Sequence, residues 1–320
     1  MTTNLEAKSG IAAAHSVKKR RVPLHGVLLL DKAAGHSSND ALIKAKRLLN
    51  AEKAGHTGTL DPFATGLLPL CFGEATKFAQ DLLEANKTYE TTVHLGVTTT
   101  TGDIDGEVVR TAPVKVSQEQ VEAVLTSFRG PILQTPPMYS ALKRNGKPLY
   151  EYARAGITLE REARALTIYS LEILEFHPPL LRLRVTCSKG TYVRVLGEDI
   201  GTALGCGAHL QTLRRVQVGD LSLLNAFTLD QLAAMPESER LSCLAPADML
   251  LQSFPAIILN TSLAKRFMHG QRLSLGKEGI PVEDNATRVR VYRADDRRLL
   301  GTGQMQSFGV LAPERLIISA

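Results

Sequence analysis

No stretch of the chain is long and apolar enough for a membrane-spanning helix: GVLLL and PAIIL have strand length, far from the ~20 residues a bilayer requires. A soluble protein is therefore expected. Cysteine is scarce as well. Cys71, Cys187, Cys206 and Cys243 form no C-x-x-C pair and keep no regular spacing, which disfavours a disulfide framework or a zinc knuckle and fits a reducing cytoplasm. The chain has no G-x-x-x-x-G-K-[ST] phosphate loop, no G-x-S-x-G elbow and no H-E-x-x-H, and the glycines of GTALGCGAH do not follow a strand in dinucleotide-binding spacing. His56 and Asp61 are too few ligands for a metal, so metal and nucleotide-cofactor chemistry are disfavoured. The D-x-D-G of TTTTGDIDGEVV begins like a calcium loop but lacks the later ligands and the terminal glutamate. The opening MTTNLEAKSGIAAAHSVKKRRVPLHG holds no apolar signal core, and its basic cluster follows the alanine patch, so residues 1–24 are expected to form a mobile basic tail.

What is present is a chain of 320 residues, 44% hydrophobic, enough for one large domain and a smaller one. The formal charge is +6, and the excess is clustered: KKRR at Lys18 to Arg21, KAKR at Lys44 to Arg47, KRNGK at Lys143 to Lys147, and RR at Arg214 and Arg215. Such clusters suit a polyanion, with solubilising surface as the competing reading.

GVLLLDK, Gly26 to Lys32, has the length and bounds of a buried strand. A helix follows, capped by Ser37 or Ser38, with Asp40 in its first turn and Lys44, Lys46 and Arg47 toward its end. EATKFAQDLLEAN has helical spacing, and KTYETTVHLGV alternates as a strand. SQEQVEAVLTSFRG opens on a Ser117/Gln120 capping box and is bounded by Gly130. ALTIYSLEILEF and LLRLRVTCSKG are further strands, the second with Arg182 and Arg184 on one exposed face, and TYVRVLGEDIGTALG is helical. AFTLDQLAAM is a short capped helix. Strands and helices mix without a regular βαβ rhythm, which predicts an α+β fold around a mostly antiparallel sheet. From about Phe254 the strands PAIILN, TRVRVYRA, LLGTGQMQ and RLIIS, with the short helix SLAKRFMHG, suggest a small β-rich unit and a boundary near Leu250.

The chemistry centres on HTGTLDPFATG, where one carboxylate, Asp61, stands directly ahead of the apolar run LLPLCFG. Asp-Pro is a common turn dipeptide, and a solvated turn is the plain reading. If Leu60, Phe63 and the LLPL run dry the acid, desolvation raises its pKa unless a cation compensates. The best cation is Arg194 in SKGTYVR, whose planar guanidinium could grip the carboxylate bidentately, with Tyr192 offering an aromatic face. An ionised, oriented carboxylate can act as nucleophile or base.

GHTGTLDPFATGLLPLCFGEATK, together with GVLLLDK, KTYE, TxTGDxDGE, PPMYSALK, GKPLYEYAR, CSKGTYVR and GCGAHLxxLRR, covers most of Gly26 to Arg215 in order. This set resembles the TruB family, the bacterial tRNA pseudouridine-55 synthases. The resemblance implies that a uridine in the tRNA T-loop is isomerised without cofactor or metal. The ribose–N1 bond breaks, the uracil turns, and C5 bonds to the ribose. It implies a catalytic set of Asp61, Tyr89, which stacks on the target base, and Arg194, which pairs with the aspartate. It implies substrate contacts from His56, which fills space in the RNA loop as the target flips out, from Tyr192 and Leu213 in the pocket, and from Lys32. The implied partner is the T-arm stem-loop of tRNA, with no membrane and no obligate protein partner. A cytoplasmic monomer is expected, since the sequence shows no coiled-coil seam. Residues 25–250 would be the catalytic domain and 251–320 a PUA-like RNA-binding domain. Where the family has DKPxGxTS, this chain has Ala33 and Ser37; losing the proline loosens that turn by up to about 1 kcal/mol. Two rival readings are an RNA-folding factor indifferent to catalysis and a pseudouridine synthase of another RNA site.

Overall fold

The computed structural model describes residues 20–281 and 287–318. In chain order come β1 (Gly26–Lys32), α1 (Ser38–Leu48), β2 (Ala54–His56), β3 (Thr65–Phe72), α2 (Ala79–Leu83), β4 (Lys87–Leu95), a hairpin of β5 (Val97–Thr99) and β6 (Val108–Thr111), α3 (Gln118–Ser127) and β7 (Gly130–Gln134). A second hairpin, β8 (Lys143–Arg144) and β9 (Lys147–Pro148), leads through α4 (Leu149–Arg154) to β10 (Arg164–His177), β11 (Leu180–Cys187), α5 (Val193–Ala203), β12 (Ala208–Val218), β13 (Leu221–Ser222) and α6 (Leu229–Ala234). The chain closes with β14 (Ala256–Leu259), α7 (Thr261–Met268), β15 (Leu273–Ser274), β16 (Arg288–Arg293), β17 (Leu299–Gln306) and β18 (Val310–Leu316).

The helix starts follow local chemistry. Ser37 caps α1 reciprocally with Asp40, Ser117 caps α3 with Gln120, and Thr228 caps α6 with Gln231, each satisfying orphan N–H groups of a first turn. The helix expected over EATKFAQDLLEAN is instead a 3-10 segment, Gly73–Phe78, running into the short α2. Gly73 has φ +54°, and the Thr76 hydroxyl donates to its carbonyl, so the first turn winds tighter than an α-helix.

A nine-stranded sheet runs β1-β3-β12-β4-β11-β10-β7, with β2 on β3 and β13 on β12. Its pairings are antiparallel except between β3 and β12, where Arg214 and Arg215 lie parallel to Thr65 and Gly66. The fold is thus α+β with a mixed, mostly antiparallel sheet. β1 alternates between two cores: Leu28 and Leu30 face one with α1, α3 and α5, while Val27 and Leu29 face another with Phe78, Leu82, Leu250 and Leu251. Burial on both faces explains its unbroken apolar run. On β11, Arg182 and Arg184 share a face and both bond Glu90 of β4, at 3.2 and 2.6 Å.

The C-terminal β-rich domain is a five-stranded sheet, β14-β16-β17-β18-β15, with its own core around Phe267, Leu273 and Val291. Its last strand is Val310–Leu316, earlier than the expected RLIIS. It is tied to α2 and the 3-10 turn before it: Asp81 is buried against Arg288 and Arg315, and Lys77 Nζ donates to Leu316 O at 2.7 Å. Among the described residues no helix is long and apolar enough to cross a membrane. Most of the expected N-terminal tail lies outside the described residues, but its last part is attached. Val22 N donates to Asn50 O at 2.9 Å and Glu52 N to Val22 O at 3.0 Å.

Candidate active site

The loop His56 to Gly66 joins β2 to β3, and interior groups cinch it from beneath. The Ser38 hydroxyl, at the start of α1, accepts from Leu60 N at 2.8 Å and donates to Leu60 O at 3.1 Å. Gly35 N donates to Pro62 O at 2.9 Å, and Ala64 N to Asp61 O at 3.1 Å, closing the Asp-Pro turn. Gly66 ends the loop with φ +102°, and a β-carbon there would stand 2.3 Å from Arg215 O. Only glycine permits that approach.

Lys32 is the inner peg of this arrangement. It is 1% exposed, and its ammonium donates to the carbonyls of Ala33, His36 and Pro62 at 2.9, 2.8 and 3.3 Å. Burial pulls its pKa down to about 8, opposed by Asp61 and helped by the Arg215 charge. Its ammonium thus joins the turn after β1, through Ala33 and His36, to the turn that carries Asp61, through Pro62.

Arg194, on the first turn of α5, donates from Nε to Asp61 Oδ2 at 2.9 Å. The same Nε lies 3.4 Å from Asp103 Oδ2, while Nη1 and Nη2 donate to Thr101 O at 3.0 Å and Tyr139 O at 2.7 Å. The grip on Asp61 is therefore single, not bidentate; the rest of the fork is used to fix the guanidinium. Arg194 is 3% exposed and Asp61 34% exposed. Asp61 thus sits at a rim instead of in the dry pocket expected, with a buried cation behind it. Asp103 is held by Thr101 Oγ1 at 2.5 Å and Asp105 N at 3.2 Å. Burial pushes its pKa up, and Arg194 opposes the rise.

Of the other candidate side chains, Tyr89 and Tyr192 lie within electrostatic reach of Asp61, and Leu213 shares a cleft with Pro62 and Phe63. Tyr192 precedes α5, its backbone clamped by the Gln134 amide, which donates to Tyr192 O at 3.1 Å and accepts from Tyr192 N at 2.8 Å. Burial raises the Tyr192 phenol, and Asp61 adds to the rise. Tyr89, half-buried on β4, also has its phenol raised by burial, with Asp61 adding and Arg215 opposing. Leu213 on β12 lines a cleft of about 420 Å³ with Gly35, Pro62, Phe63 and Thr212. His56 is half-buried at the loop's entrance; burial, then the Arg215 charge, lowers its pKa, and its Nδ1 is enclosed without a partner.

The arrangement offers a carboxylate aimed by a buried arginine at the edge of an aromatic and apolar cleft. Asp103, Gln134 and Arg215 were not singled out as site residues by sequence. A signal for Asp103 existed in TxTGDxDGE: a buried guanidinium needs several acceptors, and a short acid in a tight turn supplies one.

Residues 46–193 match the TruB family pseudouridylate synthase N-terminal domain, residues 194–252 the tRNA pseudouridylate synthase B C-terminal domain, and residues 255–317 the pseudouridine synthase II TruB C-terminal domain. The chain is 59% identical over 319 residues to tRNA pseudouridine synthase B of Burkholderia lata, covering 100% of this chain and 98% of the relative. It is 61% identical over 300 residues to tRNA pseudouridine synthase B of Burkholderia mallei, covering 93% and 99%. Among solved structures it resembles a chain of an H/ACA RNP bound to a substrate RNA containing 2′-deoxyuridine, with a TM-score of 0.70 at 25% identity, covering 92% of this chain and 86% of that one.

Proposed function

Because the chain belongs to the TruB family of pseudouridylate synthases and isomerises a uridine of tRNA to pseudouridine, we propose that the uridine lies in the T-loop and that Asp61 acts on its ribose. The isomerisation breaks the C1′–N1 bond and forms a C1′–C5 bond, while C5 loses a proton and N1 gains one. Atoms and electrons balance, so the reaction as written calls for no cofactor. Whether the carboxylate attacks the sugar or removes a ribose proton, it must arrive ionised and aimed. The observation that carries this reading is the Arg194–Asp61 pair, 2.9 Å long, with the arginine walled in and the carboxylate partly exposed.

A base in a folded RNA loop must leave its stack before its glycosidic bond can be reached, at a cost of a few kcal/mol that a fitted pocket recovers in part. We assign Tyr89 and Leu213 to the two faces of the uracil, Tyr192 to the flipped nucleotide and His56 to the space it vacates. The depressed pKa of His56 suits a steric, uncharged role. Exposed lysines and arginines would meet the T-arm phosphates. Residues 251–320 would add an RNA-binding, PUA-like unit. We take the chain to act as a cytoplasmic monomer; four buried free cysteines fit a reducing compartment.

The test is to map pseudouridine at single-nucleotide resolution in tRNA exposed to the pure protein. Conversion of one T-loop uridine is expected. An unmodified T-loop would favour the RNA-folding factor, and conversion elsewhere a different site specificity.

A further inference from the structure

Arg215 belongs to a basic dipeptide that the charge pattern sets among phosphate-binding clusters, yet it is 1% exposed. Its neighbour Arg214 takes the outward role, donating to Asp31 at 2.6 Å. Among the described residues Arg215 forms no ion pair with a carboxylate. A guanidinium without water or counter-ion is costly, so its remaining contacts ask for an explanation. Nε donates to Leu67 O of β3 at 2.8 Å, and Nη1 reaches Thr59 O, two residues before Asp61, at 3.4 Å. Nη2 is enclosed without a partner.

Across the β12–β4 ladder Arg215 stands directly opposite Tyr89, so the two side chains rise from the same face of the sheet. Burial raises the Tyr89 phenol, the nearby Arg215 guanidinium opposes the rise, and the carboxylate of Asp61 adds to it. We propose that Arg215 is a positioning residue for the isomerisation: its spare Nη2 donates to the Tyr89 hydroxyl oxygen and so turns the phenol's own proton outward, into the cleft beside Asp61. The hydroxyl is then a directed donor instead of a free rotor. This inference rests on the reading that Tyr89 works beside Asp61.

The test is a double-mutant cycle on a T-arm transcript, with enzyme in excess and incubations long enough that slow variants still give a rate. Arg215→Gln and Arg215→Lys are each combined with Tyr89→Phe, and folding is checked by thermal unfolding. Each Arg215 substitution is expected to lower the single-turnover rate about tenfold or more with RNA affinity changed less than about threefold, and to lower it less than about threefold once the Tyr89 hydroxyl is gone. Equal losses in both backgrounds, or a loss confined to affinity, would overturn the proposal. So would failure of both Arg215 variants to fold, which would make the residue purely structural; if Arg215→Gln alone fails, the Arg215→Lys cycle decides. A wild-type chain that formed no pseudouridine would instead sink the reading of the site, a separate outcome.

Discussion

Lys32 and Arg215 lie within electrostatic reach of each other beneath the Asp61 loop, and each is a cation that folding has stripped of water. For Lys32 this has a measurable sign. Its pKa is about 8 in the folded chain against 10.5 for a free lysine. Between those values the unfolded chain binds more protons, so this group's contribution to the unfolding free energy rises as pH rises from about 8 to 10.5. Denaturant unfolding across that range is expected to give a more positive pH slope for the natural chain than for Lys32→Met; identical slopes would contradict the buried ammonium. At this scale, Asp61 and Arg194 were legible because each stands in a distinctive local stretch, and the structure joins those stretches at 2.9 Å. Asp103 was not, because an Asp-rich turn has an ordinary solvent reading. Arg215 was hidden for a related reason: paired arginines read as surface charge, and nothing local reports that one of them points inward.

Among the elements, β3 and β12 carry the geometry, and their parallel contact depends on Gly66. A β-carbon at Gly66 would meet Arg215 O at 2.3 Å and Arg215 N at 2.8 Å, at a φ of +102° that side chains avoid. Gly66→Ala is expected to cost more than about 3 kcal/mol or to abolish soluble expression. An unchanged denaturation midpoint would contradict the close pairing. The strands β1, β4, β10 and β11 could be read from pattern because each keeps its period long enough to count. β12 escaped: register shifts between Leu210 and Thr212 and between Arg215 and Gln217 break its alternation. The pattern places β18 too late, at RLIIS, because Pro313 resembles a strand terminator; a register shift between Thr302 and Gly303 on β17 seats it opposite Gly303.

Over the whole molecule, the C-terminal β-rich domain is locked to the segment between β3 and β4 by a compact ionic junction. Asp81, 6% exposed, bonds Arg288 and Arg315, while Arg288 also holds Glu314 at 2.6 Å. Asp81→Ala leaves Arg288 with Glu314 alone and Arg315, 33% exposed, without its carboxylate, and is expected to cost about 1–3 kcal/mol locally. Hydrogen exchange should quicken in β16 and β18 while β4 and β11 stay protected; uniform quickening would contradict a local junction. The β-rich composition after Phe254 announced this part of the fold, but its docking was not legible, since Asp81 and Arg288 are remote in sequence and ordinary in their surroundings. Beside the nine-stranded sheet lies the subject of the central proposal, that Asp61, aimed by Arg194, performs the chemistry. The most direct measurement is the single-turnover rate of pseudouridine formation by Asp61→Asn on a T-arm transcript, alongside its affinity for the same RNA. The amide keeps an oxygen for Arg194 Nε, so the fold is retained. The expected result is no detectable pseudouridine with affinity within about threefold of the natural chain; conversion at a comparable rate would contradict the role of Asp61.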